Sequence, residues 1–291
     1  MGPQPSLGLP GVGAVVMAGP IKHEPVARFD QVWQDYAARE VKAERVAQHV
    51  TGRERFLAIL EGYVRSADPP RVVEIGCGSA IDLCLLRYRA SHILAVGLDL
   101  SGEGLRVAVD SAAHLQVPLR LCQGDTFALP FHSGSVGVIF SQGVIEHFRD
   151  PYPALTEQVR VLAEGGVLVV SVPQTFTGYT LHKHRAIRAG TWPWGWEDQY
   201  SSRRLRRLGE RLGLHIEQVF GYQYWLSWGE PAWVLRDLVG KVERRAPARL
   251  QRWTSPITAF YDRGWNWLEE HYGHLFLQNV VAVFRVPRKR A

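Results

Sequence analysis

Long apolar runs are missing from this 291-residue chain. None approaches the ~18–20 consecutive residues that a helix needs to span a bilayer, so a protein built on membrane-crossing helices is not expected. The N-terminus, MGPQPSLGLPGVGAVVMAGP, has no basic segment and no clear cleavage pattern, which argues against a secretory signal. Cysteine is scarce. Cys77, Cys84 and Cys122 are the three in the chain, and an odd few without metal-ligand spacing make neither a disulfide framework nor a metal site. No metal is expected, and a reducing cytoplasm is the natural setting. Internal repeats are also lacking. Acidic residues are the minority charge: 28 Asp and Glu against 34 Lys and Arg leave a net charge of +6. That balance suits an anionic substrate, nucleic acid or a membrane surface, or reflects only the abundance of arginine.

What is present is enough for one large α/β domain, or a core with an added subdomain. Hydrophobic residues make up 46% of the chain, a composition that supports a sizeable core. Residues 1–24, rich in Gly and Pro, read as a disordered tail, and 25–291 as a single domain. Phe29, Val32, Trp33 and Tyr36 fall on one face of a helix expected over Pro25–Val50. Phe56, Ile59, Leu60 and Tyr63 form the stripe of a second, Arg53–Ser66, so 25–66 is a helical N-terminal part. Strands are then expected over 71–76, 92–100, 119–125, 136–142 and 167–173, alternating with helices over 81–88, 102–115 and 152–162. Such alternation implies a mostly parallel sheet with helices on both faces. Its ligand belongs at the C-terminal strand ends, where the strand order reverses. Beyond Pro173 a segment rich in Thr, His, Arg and Trp runs to Tyr200. A basic helix over 202–212, a strand starting at His215, an aromatic insert over 223–278 read as helical, and a last strand over 279–286 complete the chain.

The chemistry-bearing residues gather at four strand ends. VVEIGCGSA (72–80) is a buried strand running into a turn, and glycine at 76 and 78 lets backbone approach a ligand closely. The following helix aims free N–H groups at the same space. Asp99 in GLDLS comes 23 residues after Gly76, a spacing at which an acidic side chain accepts hydrogen bonds from a ribose diol. A carboxylate there sits poorly beside a pyrophosphate and well beside a cation. Gly124-Asp125-Thr126, followed by Leu129-Pro130-Phe131, offers a carboxylate for an adenine amino group with apolar neighbours for its ring. The fourth strand ends in SQGVIEHF, 141–148.

Taken in order, VVEIGCGSA, GLDLS, QGDTFALPF, VIFSQGVIEHF and LAEGGVLVVSVP resemble the class I S-adenosylmethionine (SAM)-dependent methyltransferase superfamily. The likeness is to the small-molecule branch that includes the ubiquinone and menaquinone biosynthesis methyltransferases. It covers about residues 71–173. It implies a Rossmann-like seven-stranded sheet of order 3-2-1-4-5-7-6 with strand 7 antiparallel, the aromatic insert falling between strands 6 and 7. It implies SAM as cofactor, with Glu74, Gly76, Cys77 and Gly78 around its methionine part. Asp99 would then hold the ribose, Leu100 pack on the adenine, Asp125 and Thr126 flank its edge, and Gln142 line the site near the methyl group. Ala80 stands where the family usually has a third glycine. Methyl transfer from a sulfonium is an in-line displacement, so alignment and exclusion of water are the main demands. A base matters only if the nucleophile must lose a proton. His147 is the first candidate for it, or else a histidine that only opens the next helix. His182, His184, Glu197 and Tyr200 are further candidates. Lys183, with its neighbouring histidines and Arg185, offers an anion site or a solvated basic loop.

Nine of the ten tryptophans lie between Trp192 and Trp267. Three readings are open: a helical insert packing on the sheet edge, an aromatic wall for a flat or lipophilic acceptor, or peripheral membrane contact. The expected function is SAM-dependent methylation of a small-molecule acceptor. The alternatives are an RNA- or protein-modifying methyltransferase, or a non-catalytic SAM-binding protein of the same fold. The fourth strand lacks an N/D-P-P-Y type ending and no RNA-binding module is recognisable, so nucleic acid is not the expected partner.

Overall fold

The computed structural model describes residues 26–39, 49, 52–245 and 248–288. The expected tail, 1–24, lies outside the described residues, as does most of 40–51, where the first expected helix was to end. That helix, α1, spans Val26–Arg39, and α2 spans Glu54–Arg65. The core then runs β1 (Arg71–Ile75), α3 (Ile81–Arg89), β2 (Leu94–Asp99), α4 (Gly102–Leu115), β3 (Arg120–Gln123), β4 (Val136–Gln142), a 3-10 turn (Ile145–His147), α5 (Tyr152–Val161) and β5 (Leu162–Pro173). After it come α6 (Gly178–Arg188), α7 (Ser202–Arg211), β6 (His215–Tyr222), α8 (Glu230–Arg245), α9 (Ala248–Phe276) and β7 (Asn279–Arg285).

Successive strand residues point to opposite faces, and here both faces are covered. Val73, Ile75, Ile139 and Val170 pack with Leu155 of α5 and Leu205 and Leu208 of α7. Their neighbours Val72, Val138, Phe140 and Val169 pack with Phe56 and Leu60 of α2 and Leu83 and Leu86 of α3. Two-sided burial is why these strands read as unbroken apolar runs. Side-chain caps fix three helix starts. Ser101 Oγ accepts from Gly104 N at 3.0 Å, Thr177 Oγ1 from Thr180 N at 3.2 Å, and Ser201 Oγ from Arg204 N at 3.3 Å.

The seven strands form one sheet of order β3-β2-β1-β4-β5-β7-β6. β7 is antiparallel to both β5 and β6, and the remaining neighbours are parallel. The fold is the one the resemblance implies. The order reverses between β1 and β4, so their C-terminal ends open the crevice in which such sheets bind ligands.

Two local expectations are corrected. β5 begins at Leu162, not after the paired glycines, because Gly165 N donates to Val286 O at 3.0 Å and Val286 N to Gly166 O at 2.9 Å. Backbone pairing with the chain beyond β7 thus carries the strand through a segment whose glycines read as a turn. Helix α6 was not foreseen. Its sequence, GYTLHKHRAIR, has too few apolar residues for a stripe; the Thr177 cap and a buried charge hold it instead. The insert is helical, and α9 lies close on β6: a Cβ on Gly221 would stand 2.3 Å from Gly273 O. Its tryptophans divide. Trp265 packs against Phe276 with ring centroids 5.9 Å apart, whereas Trp225, Trp228 and Trp267 are exposed. Among the described residues no helix is long and apolar enough to cross a membrane.

Candidate active site

A cavity of about 380 Å³ opens at the C-terminal ends of β1, β2 and β4. Its volume is in the range that holds one small organic ligand. Of the ten residues expected to hold the cofactor or to serve as first candidate base, nine line it: Glu74, Gly76, Cys77, Asp99, Leu100, Asp125, Thr126, Gln142 and His147. The tenth, Gly78, acts from behind the wall.

The turn after β1 needs its glycines. Gly76 has φ +64° and Gly78 φ +45°, the left-handed region that side chains rarely adopt. Space is as tight as the backbone: a Cβ on Gly78 would fall 2.0 Å from Trp33 Cζ2. Ala80 shares the left-handed conformation, at φ +51° and ψ +25°, as the N-cap of α3. The glycine usual there answers this geometry, and the alanine keeps it at a strain of about 1–2 kcal/mol.

Asp99 is fixed by the same turn. Gly78 N donates to its Oδ2 at 2.7 Å and Ser101 N to its Oδ1 at 2.8 Å. The carboxylate keeps acceptor capacity for a ligand hydroxyl. Burial pushes the pKa of this carboxyl above its ordinary value, against the opposing N–H bonds of Ser101, Gly78 and Leu100. Glu74, on β1, is buried with Oε2 lacking a hydrogen-bond partner, and burial, with Asp82 beside it, pushes it well above the carboxylate range. Thr126 reaches the wall, but its Oγ1 is taken by Gln158 Nε2 at 3.0 Å.

Helix α1 covers this half of the cavity. Phe29 and Trp33 line it, and Asp30 tethers the helix by accepting from Ser101 Oγ at 2.5 Å. Trp194 meets the ring of Trp33 at 5.8 Å and that of Phe29 at 6.5 Å between centroids. Phe29 also meets His147 edge-on at 5.5 Å, so His147 sits under α1 and against an aromatic ring.

Gln142 is embedded in a charged network that the sequence did not reveal. Its Nε2 donates to Asp82 Oδ2 at 2.5 Å, and its Oε1 accepts from Arg53 and, at 3.1 Å, from Tyr222. Asp82 also takes a hydrogen bond from Arg53 and lies 2.8 Å from His49 Nε2. Burial opposes ionisation of Asp82, but Arg53 and His49 outweigh it and hold the carboxyl far below its ordinary range. The guanidinium of Arg53 also lies 5.5 Å from the centroid of Tyr222. Arg53, Asp82 and Tyr222 all line the cavity. Their one sequence signal was Asp82 in the first turn of α3, close behind the glycines.

The far wall comes from β4, α6 and the segment before α7. Glu146 follows β4 and is 1% exposed. Tyr179 and Glu197 face the same space. Lys183, expected on an exposed basic loop, is fully buried with its Nζ 2.7 Å from Glu197 Oε2, so it is not placed to take an anionic acceptor. Trp192 Nε1 donates to the other oxygen of Glu197 at 2.6 Å. His182 and His184 are outside the cavity wall. Tyr200 is buried in the core, its hydroxyl donating to Ile145 O at 3.4 Å.

A family model described as a methyltransferase domain matches residues 73–170. The chain is 32% identical over 127 residues to a trans-aconitate 2-methyltransferase of Azoarcus sp. (strain BH72), covering 44% of this chain and 47% of that protein. It is 32% identical over 102 residues to the demethylmenaquinone methyltransferase of Thermus thermophilus, covering 35% and 46%. The chain thus spans about half the length of these curated relatives. The solved complex of the Haloferax volcanii Trm112 methyltransferase activator with a methyltransferase contains a chain of like fold, at TM-score 0.56 and 20% identity, over 92% of this chain and 100% of that one. The family model's match runs through most of the stretch from β1 to β5 that carries the glycine turn, Asp99 and the β4 end, and over that core this chain is similar to the SAM-dependent methyltransferases.

Proposed function

We propose that the protein transfers a methyl group from SAM to a small-molecule acceptor. The observation that carries this reading is Asp99. It is a buried carboxylate at the end of β2, held by the N–H groups of Gly78 and Ser101, in a cavity that continues past β4 to a second wall. The residues fit the cofactor. Asp99 suits a ribose diol, the turn at Gly76 brings bare backbone to the cavity wall for the methionine chain, and the unpartnered Glu74 Oε2 suits a donor such as an ammonium group. When bound, the cofactor supplies an activated methyl on a sulfonium. The chain's own part is to align and to exclude water. Phe29 and Trp33 roof the cavity, Leu100 and Thr126 flank the nucleotide side, and Gln142, fixed by Arg53, Asp82 and Tyr222, sets the boundary between the two halves. His147 remains a candidate base, and its place under Phe29 supports a role beside the acceptor. Peripheral membrane contact by the insert is part of the same reading, supported by the exposure of Trp225, Trp228 and Trp267, and sedimentation with anionic vesicles tests it.

Calorimetric titration with SAM, S-adenosylhomocysteine and NAD tests the central claim. The first two should bind and NAD should not. Asp99→Ala should lose roughly 1.5–3 kcal/mol, as for hydrogen bonds to a charged group. A folded protein that binds neither SAM nor S-adenosylhomocysteine would overturn the proposal.

A further inference from the structure

The acceptor half of the cavity carries a buried acid with one oxygen that no described residue satisfies. Glu146 Oε2 is shielded from solvent and has no hydrogen-bond partner, although the residue lines the cavity. Leaving such an atom bare is costly, so a ligand that supplies a donor hydrogen is favoured there. The nearby cations are committed elsewhere: Lys183 to Glu197 and Arg53 to Asp82. An anionic acceptor would therefore meet carboxylates without a cation to receive it. Tyr179 and Tyr222 lie close enough to Glu146 to feel its charge, Phe29 and Trp194 line the same cavity, and aromatic faces attract cations. A carboxyl oxygen without a partner, in a cavity lined with rings, is a site for an ammonium group.

We propose that the acceptor is an amine that arrives protonated, and that Glu146 binds it and takes its proton. This rests on the methyltransferase reading above. The ammonium R–NH3+ gives one proton to the Glu146 carboxylate and becomes R–NH2. The nitrogen lone pair then forms the new N–C bond to the methyl carbon while the C–S electron pair returns to sulfur. The products are R–NH2+–CH3 and a neutral thioether, and the proton on Glu146 passes to solvent once the site opens. The groups facing Glu146 are Glu197, Lys183, Tyr179, Tyr200, Tyr222 and its neighbour His147. Burial, helped by the charge of Glu197, pushes the Glu146 carboxyl up to about 8. In the free site the carboxylate thus forms as pH approaches that value, and amine binding tightens with it.

The test is calorimetry on the full chain saturated with S-adenosylhomocysteine, using phenethylamine, 2-phenylethanol and 3-phenylpropionate as probes. Phenethylamine should bind about 10- to 150-fold more tightly than either isostere, the range for hydrogen bonds to a charged group. Its affinity should rise between pH 6.5 and 8. Glu146→Gln should lose that preference and that pH dependence while S-adenosylhomocysteine still binds. The proposal is overturned if the alcohol or the acid binds as well as the amine, if none of the three binds, or if Glu146→Gln keeps the amine preference. The comparison of probes on the unmodified protein decides the matter even where the variant fails to fold. Failure of S-adenosylhomocysteine to bind would instead overturn the underlying methyltransferase reading, and this proposal with it.

Discussion

Replacing Lys183 by methionine isolates the electrostatic cost of the far wall. The Lys183 and Glu197 side chains are 0% and 4% exposed and 2.7 Å apart. Methionine keeps most of the apolar stem, so the loss is chiefly of charge. Glu197 would be left in a buried site without its cation, with Trp192 Nε1 still donating to it and with Glu146 nearby. Breaking a buried pair from one side costs about 3–5 kcal/mol, because the abandoned charge has no compensation. At a urea dependence of about 3 kcal/mol per molar, the upper end for small proteins, the unfolding midpoint should fall by roughly 1–1.7 M. The double variant Lys183→Met, Glu197→Gln removes both charges and should recover most of the loss, giving a coupling energy by double-mutant cycle. Urea titration followed by circular dichroism reads all of these. A single variant within about 1 kcal/mol of the parent would refute the claim that this ion pair is desolvated and holds α6 in place.

Other consequences are smaller in scope. Glu146→Gln should make stability less dependent on pH. A carboxyl raised to about 8 in the folded chain, against ~4.3 unfolded, stabilises fully at low pH and loses this contribution as pH rises through 8. The variant should therefore gain on the parent by up to about 1.4 kcal/mol per pH unit between pH 5 and 8, and parallel stability profiles would contradict this. Ala80→Gly should be nearly neutral in denaturant melts, since relief of about 1–2 kcal/mol of left-handed strain is offset by about 0.5–1 kcal/mol of added chain entropy and about 0.8 kcal/mol of lost methyl burial. Gly78→Ala should be destabilising by more than 1–2 kcal/mol, roughly the strain alone, because its Cβ also displaces Trp33. Trp33→Ala in the same background should recover part of that loss, and no recovery would show that the indole is not what the methyl meets.

The fold was legible because each β–α unit of the core carries its own local signal. Two-sided burial wrote β1, β4 and β5 as apolar runs, and Gly76 and Gly78 marked a turn that backbone geometry does require. Asp99 was legible because it ends a strand at a telling distance from the glycine turn, although its bond to Gly78 N, 21 positions back, was not. What could not be read were contacts made by distant segments. Arg53 reaches Asp82 and Gln142 from the position just before α2, and Trp33 lands on Gly78 from a helix whose stripe showed only that it packs. Lys183 looked solvated because its charge is balanced by Glu197, fourteen positions along. Glu146 stands beside His147, and a chain of letters ranks the histidine first; burial, which sequence does not print, is what singles out the acid.

Tyr222 and Asn279 face each other across the β6–β7 ladder. Gln278 N donates to Gln223 O at 3.0 Å and Asn279 Nδ2 to Gln223 Oε1 at 2.8 Å. The excursion from 223 to 278 therefore leaves and returns through a paired clasp, and between its ends α9 packs back on β6. Lengthening a closed loop adds little entropy cost, so an exposed part of this stretch can lengthen without unpairing the clasp. Gln223, Gln278 and Asn279 also border the cavity, so the clasp that closes the insert is at the same time part of the wall that decides what the site admits.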